Sequence, residues 1–232
     1  MRRAIVLAGG LGTRLRAATG DLPKPLVKVA GRPLVAHQIG RLAGAGITDI
    51  VIATGYGADQ VEAELGTGAT WGAALRFSKE DSPRGTAGAL ALAAKGRVSA
   101  DDTVVVVNGD LLSRHDLAGQ LAAFESAGAD ASIHVREVAD PRAYGVVLVG
   151  GSRVTGFLEK PENPPSNLVN AGTYVFRGRV LLDLPDTIGL SIERDVFPQL
   201  AQYGEVIAYR DDAPFLDVGT PEALAAAESW FE

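Results

Sequence analysis

The residues able to do chemistry in this chain are gathered in a few short segments, each beside glycine or proline. The first is Leu7-Ala8-Gly9-Gly10-Leu11-Gly12-Thr13-Arg14-Leu15, which closes an apolar run. Glycines directly after a strand let backbone N–H groups approach an anion with no Cβ in the way. Alone, such a cluster is equally a tight strand-to-helix turn. Ten residues after Arg14 stands Lys24, inside Pro23-Lys24-Pro25. The two prolines stiffen the backbone and fix where the ammonium points. Only five of the 22 basic residues are lysine: Lys24, Lys28, Lys79, Lys95 and Lys160. In an arginine-rich chain a lysine supplies a compact charge on a flexible stem.

Two familiar phosphate fingerprints fail on this loop. A dinucleotide motif reads G-x-G-x-x-G, but from Gly10 the third glycine position is Leu15. Its acidic partner about 20 residues on is also missing, with Ala30, Gly31 and Arg32 in that place. A P-loop needs a Gly-Lys pair, and none occurs.

Two carboxylates stand out. Asp110 follows the run Thr103–Val107 and Asn108-Gly109. It falls past the carboxyl end of a strand, where open α/β sheets bind ligands. A Gly-Asp turn capping the next helix explains it equally well. Asp217, in Phe215-Leu216-Asp217-Val218-Gly219-Thr220-Pro221, also sits beside a glycine and before a helix start. His37, His115 and His134 lie in none of these segments and read as structural or surface residues.

These residues need elements to hold them. Ala4–Ala8 reads as a buried strand, and Pro33–Ala45 has helical apolar spacing closed by Gly46. Asp49–Thr54, Ala74–Ser78 and the β-branched run Thr103–Val107 read as strands. Gly57–Leu65, Thr86–Lys95 and Leu117–Ala127 read as the helices between them. This alternation predicts an α/β fold: three layers, with a mostly parallel Rossmann-like sheet and helices on both faces. The second half is richer in strands: Ala131–Arg136, Tyr144–Val149, Arg153–Glu159, Thr173–Phe176 and Glu205–Tyr209. Ser191 caps a helix expected to reach about Tyr203, and Thr220-Pro221-Glu222 opens the last one. The proline-rich 160–166 stretch is a loop.

Bulk properties set limits. At 232 residues the chain suits one large domain, or one domain with a small appendage. Its net charge of −6 argues against a nucleic-acid or membrane-surface binder, yet leaves room for a small anion held by a few cations. No apolar run approaches the roughly 20 residues that span a bilayer. The basic start Met1-Arg2-Arg3 is followed by an apolar run ending at Gly9, too short for a signal peptide, so the cytoplasm is the expected location. The absence of cysteine excludes disulfides, thiolate metal sites and cysteine nucleophiles.

Gly9-Gly10-x-Gly12-Thr13-Arg14-Leu15 followed by Pro23-Lys24-Pro25 resembles the signature of the sugar nucleotidyltransferases, the nucleotide-sugar pyrophosphorylases. The resemblance runs from Ala4 to the last helix with motifs in family order, and implies the nucleotide-diphospho-sugar transferase fold. It implies one nucleotidyltransferase domain over 1–232, with a nucleotide half to about residue 130 and a sugar-phosphate half beyond. In that reading Leu7, Ala8, Gly9, Gly10, Gly12 and Thr13 wrap a triphosphate, and Arg14 and Lys24 neutralise charge around the transferred phosphoryl group. Glu80, Gly85, Thr86 and Gly88, around a Pro-x-Gly-Thr-Ala-Gly segment, contact base or ribose. Asp110 and Asp217 are magnesium ligands, since Mg2+ takes one or two carboxylates with phosphates and water.

Tyr144-Gly145-Val146, Phe157–Pro161 and Asn170–Tyr174 resemble the sugar-binding strands. Tyr144, Gly145, Glu159, Lys160 and Asn170 are therefore expected at the sugar phosphate, with Asn108 beside them. Glu159 accepts from hydroxyls and Lys160 binds phosphate in this reading; otherwise the two form an ordinary solvated pair. The implied reaction joins a nucleoside triphosphate to a sugar 1-phosphate, releasing pyrophosphate.

Asp21–Pro25, Pro83–Gly88 and Ser191–Asp195 resemble most the heptose 1-phosphate guanylyltransferases, with mannose 1-phosphate guanylyltransferases close. GTP therefore ranks first, with uridylyl, cytidylyl and thymidylyl transfer as alternatives and a non-catalytic binding subunit more remote. Homodimerisation is left open. Two departures are Ala17, where many members have proline, and the lack of a β-helix or acyltransferase extension after Glu232.

Overall fold

The computed structural model describes residues 1–10, 12–15 and 19–231. Leu11, residues 16–18 and Glu232 lie outside it, and with them the Ala17 departure. The strands in chain order are β1 (Arg2–Ala8), β2 (Lys28–Val29), β3 (Arg32–Pro33), β4 (Asp49–Thr54), β5 (Ala74–Lys79), β6 (Thr103–Asn108) and β7 (Leu111–Ser113). They continue as β8 (Ala131–Glu137), β9 (Gly145–Gly150), β10 (Arg153–Glu159), β11 (Leu168–Arg177), β12 (Val206–Arg210) and β13 (Phe215–Asp217).

Nine of these strands form one sheet in the order β5-β4-β1-β6-β11-β8-β12-β10-β9. Side chains alternate across a strand, and the apolar runs obey this. Ile5, Val104 and Val106 enter the core on one face, while Ala4, Val6, Val105 and Val107 enter the core on the other. Val104–Val107 are all at most 1% exposed, which is why that run carries no polar alternation. The helices Leu34–Gly44, Ala58–Leu65 and Leu117–Ala127 cover one face. Gly85–Ala94, Gly178–Leu182 and the helix ending at Gln202 cover the other.

The α/β architecture is as expected, but strand direction is more mixed. β5, β4, β1 and β6 are parallel neighbours, as are β8 and β12. β11 runs antiparallel to both β6 and β8, and β10 antiparallel to β12 and β9. Some features escaped the sequence, among them the β2–β3 pair and the Gly178–Leu182 helix. β7 and β13 pair as a separate antiparallel ribbon, with Asp217 opposite Leu111. The helix expected after Ser191 opens with a π-turn at Ile192–Val196 before Phe197–Gln202 continues it. Ser191 is its cap, accepting from the N–H groups of Glu193 and Arg194. Pro198 in the first turn of the second part has no N–H to donate backwards, which fits the change of pitch.

Candidate active site

The carboxyl ends of the parallel strands open into a cavity of about 380 Å³. β4 and β5 extend from β1 in one direction and β6 lies on its other side, so a crevice forms where the order reverses. Leu7, Gly9, Gly10, Glu80, Gly85, Thr86, Asn108 and Asp110 line it. Pro83, Ala89 and Glu193, none of them singled out from sequence as site residues, line it too.

Glu80 follows β5 and donates its N–H to Thr54 at the end of β4. Its Oε2 accepts from the Arg84 N–H at 3.1 Å. A Cβ on Gly9 would stand 2.7 Å from Glu80 Oε1, and one on Gly55 2.9 Å from it. The carboxylate thus lies across two glycines, and any side chain at either would displace it. Partial burial raises the Glu80 pKa, opposed by the Arg84 N–H and charge.

A smaller recess adjoins, lined by Leu7, Ala8, Gly10, Lys24, Pro25, Gly109 and Asp110. Lys24 starts a 3-10 turn, Lys24–Leu26, that buries Pro25 and Leu26. Its stem packs under Gly12, whose Cβ position is 3.0 Å from Lys24 Cβ. The ammonium is 2.6 Å from Asp110 Oδ2 and 3.9 Å from Asp217 Oδ1. The two carboxylates therefore converge on one cation from distant parts of the chain. The Val218 N–H donating to the Asp110 carbonyl at 2.9 Å ties their segments together. Arg14, on an exposed turn with Thr13, brings Nη2 within 3.1 Å of a Cβ position on Gly219, as near as Asp217 Oδ1. The Asp217 carboxyl is raised by desolvation and then by the Asp110 charge, while Lys24, Arg14 and Lys160 oppose the rise.

The other wall comes from β9, β10 and β11. Gly145 faces Glu159 across the β9–β10 pair, and a Cβ on Gly145 would lie 3.0 Å from Glu159 Oε2. The Tyr144 ring meets Phe215 of β13 edge-on at 5.6 Å. Lys160 holds a positive φ of 48°, uncommon for a residue with a side chain, and its Nζ is 3.4 Å from Glu159 Oε1. Such local strain clusters at ligand sites.

In β11 the pairing with β8 shifts between Asn170 and Tyr174, around Gly172 at φ 66°. This bulge re-aims Asn170, whose Nδ2 donates to the Tyr174 hydroxyl at 2.8 Å. Asn108 closes on the same point, its Nδ2 3.0 Å from a Cβ position on Gly172. Glu193 joins the two walls: Oε2 accepts from Thr86 Oγ1 at 2.9 Å, and the Tyr174 hydroxyl lies 3.5 Å from Oε1.

Gly88 takes no part in the cavity lining. Its Cβ position is 3.0 Å from the Thr187 carbonyl, which makes it a packing position for the Gly85–Ala94 helix. His115 and His134 are buried and stacked 4.0 Å apart, away from both recesses, and His37 stacks on Phe231 at 4.4 Å. The structural reading of the histidines accords with these positions.

A family model described as nucleotidyl transferase matches residues 3–231. The chain belongs to that family. Among curated members, mannose-1-phosphate guanylyltransferase of Mycobacterium tuberculosis is 42% identical over 222 residues, covering 94% of this chain and 61% of the relative. The catalytic subunit beta of mannose-1-phosphate guanylyltransferase of Drosophila melanogaster is 39% identical over 223 residues, covering 95% and 60%. The chain thus spans about three-fifths of the length of these curated relatives. Among solved structures, a putative glucose-1-phosphate thymidylyltransferase from Bacillus anthracis superposes with a TM-score of 0.90 at 28% identity, over 99% of this chain and 95% of that one. HddC from Yersinia pseudotuberculosis, complexed with GMP-PN, gives 0.84 at 30% identity over 100% of both chains. As a nucleotidyl transferase fold, the nine-stranded sheet with its crevice at β1 and β6 is accounted for. No helix among the described residues is long and apolar enough to cross a membrane.

Proposed function

We propose that this nucleotidyl transferase moves a nucleotidyl group from a nucleoside triphosphate, GTP first, to a sugar 1-phosphate of the mannose or heptose type. The observation that carries this is Lys24, 2.6 Å from Asp110 and 3.9 Å from Asp217, at the foot of the glycine loop. A triphosphate lying along Gly9, Gly10, Gly12 and Thr13 brings its phosphates to that ammonium and to Arg14. A sugar phosphate oxygen attacks the α-phosphorus, the bond to the β-phosphate oxygen breaks, and pyrophosphate leaves. No proton has to move, because the attacking phosphate is already ionised. Arg14 and Lys24 offset the charge that builds up on the phosphoryl oxygens. Tyr144, Gly145, Glu159, Lys160, Asn108 and Asn170 hold the sugar phosphate in this reading.

The donor set suits magnesium. Asp110 and Asp217 offer hard oxygen ligands that converge on one point, the Lys24 ammonium. Two carboxylates, with substrate phosphates and water, meet the coordination that Mg2+ prefers. When bound, the ion would polarise the α-phosphate and neutralise its charge.

Two lines favour GTP. Guanine presents two adjacent donors, N1–H and its exocyclic amine, and a carboxylate accepts both at once; Glu80 is the acidic side chain laid against Gly9 in the cavity. The similar proteins named as guanylyltransferases point the same way. A pyrophosphate-release assay crossing five nucleoside triphosphates with mannose, heptose and glucose 1-phosphates tests the reading. Release is expected with GTP and a mannose or heptose type acceptor, and is expected to stop in excess chelator. No release in any combination would favour a non-catalytic binding subunit, and release undiminished by chelator would remove the metal.

A further inference from the structure

Behind the β7–β13 ribbon lies a second cavity of about 200 Å³ that shares no lining residue with the first. His37, Arg41, Ser113, Arg114, Trp230 and Phe231 line it, and no acidic residue does among the described residues. Arg41 reaches it from the last turn of the Leu34–Gly44 helix. Its Nη1 donates to Gln38 Oε1 at 3.4 Å, and its Nη2 to Thr173 Oγ1 at 3.3 Å and lies 3.3 Å from His115 Nδ1. All three contacts are long and all three partners are uncharged. Its Nε is buried without a partner.

Arg41 differs from the ion-paired arginines of the chain in the burial of its guanidinium. Arg2, Arg3, Arg76, Arg84, Arg142 and Arg179 each pair with a carboxylate. Arg41 does not, and burial brings its pKa down to about 10. A cation taken out of water without a counter-charge is costly, and its desolvation is offset only by an anion or by strong hydrogen bonds. Arg114 adds a second guanidinium, lying 5.2 Å over the Trp230 ring; its Nη2 donates to the Trp230 carbonyl, and it has no ion pair among the described residues. His37 stacks on Phe231, giving a planar wall beside the two cations.

We infer that this cavity is a phosphate-binding site, in which Arg41 and Arg114 hold the phosphate group of a small molecule whose body packs on Trp230 and Phe231. Guanidinium forks suit phosphate oxygens, and the volume admits a phosphate with a compact organic group. The site does not depend on the reaction assigned to the first cavity.

Trp230 provides the readout. Trp71 and Trp230 are the two tryptophans, so a Trp71→Phe background leaves Trp230 as the sole emitter. That protein is titrated with sodium phosphate and with phenyl phosphate, against sodium chloride at matched ionic strength. A saturable change in Trp230 emission with either phosphate, absent with chloride, is expected. Saturation by the free ion at equal or lower concentration marks phosphate itself as the ligand, and tighter binding of the ester marks an organic phosphate. The midpoint is expected to rise at least tenfold in Arg114→Gln and in Arg41→Gln, and to stay put in Lys24→Ala. Arg114 is exposed, so its variant keeps the test valid should Arg41→Gln fail to fold. No saturable change, an unchanged midpoint in Arg114→Gln, or loss of the signal in Lys24→Ala would each overturn the assignment.

Discussion

Lys24, in the recess that adjoins the first cavity, is only 10% exposed and faced by two carboxylates. In the proposed reaction it serves the transferred phosphoryl group, so Lys24→Ala and Asp110→Asn should each lower kcat by two to three orders of magnitude. That corresponds to the roughly 3–4 kcal/mol lost with one stabilising electrostatic contact. Steady-state pyrophosphate release with GTP measures it, and near-wild-type turnover in either variant would rule out the assigned roles. Glu80 is tested differently. Glu80→Gln replaces one acceptor by a donor, so kcat/KM for GTP should fall about tenfold or more, consistent with the roughly 1–3 kcal/mol of a good bidentate base contact. Competition between GTP and UTP shows it, and unchanged preference would move base selection elsewhere.

At the scale of elements, the bulge in β11 sets the sugar side. Gly172→Ala places a Cβ at φ 66° and 3.0 Å from Asn108 Nδ2, at a conformational cost of about 1–2 kcal/mol. The KM for the sugar phosphate is expected to rise more than that for GTP, and an equal rise in both would contradict a local effect. How far such elements could be read beforehand depends on where their stability comes from. β1 and β6 declare themselves through local apolar runs, and the loop after β1 through its glycines. β7 and β13 are three residues each and exist only by pairing across the chain, so local pattern carries little sign of them. Glu193 is a first-turn acid after the Ser191 cap, but its place in the cavity depends on the π-turn and on Thr86, 107 residues away in sequence. Lys24 and Asp110, 86 residues apart, are each marked by motif resemblance, but the ion pair between them has no sign in the sequence. Gly88 reads as a ligand contact in sequence, and its Cβ position lies 3.0 Å from the Thr187 carbonyl.

Over the whole molecule, the stacked pair His115–His134 links stability to pH. Burial lowers their pKa values to about 3 and about 4, from 6.5. Between those values and 6.5 the unfolded chain binds protons that the folded one does not, so stability declines as pH falls below about 6.5. Each histidine contributes up to about 1.4 kcal/mol per pH unit in that window. Denaturant unfolding at pH 7 and pH 5 should show a shallower fall in His134→Gln than in the parent, whatever its stability at pH 7. An identical pH dependence would exclude the pair as a source.

The seam between β6 and β11 has a consequence for how the protein is made. β5, β4, β1 and β6 come entirely from the first half of the chain, and the five strands beyond the seam entirely from the second. During synthesis the valine run of β6 is an open edge until Thr173–Arg177 emerge to pair with it. At about 5–20 residues per second that exposure lasts seconds. An uncovered, uncharged edge of this kind invites pairing with other chains. The nascent chain is therefore most prone to aggregate in the interval between making one side of the seam and making the other.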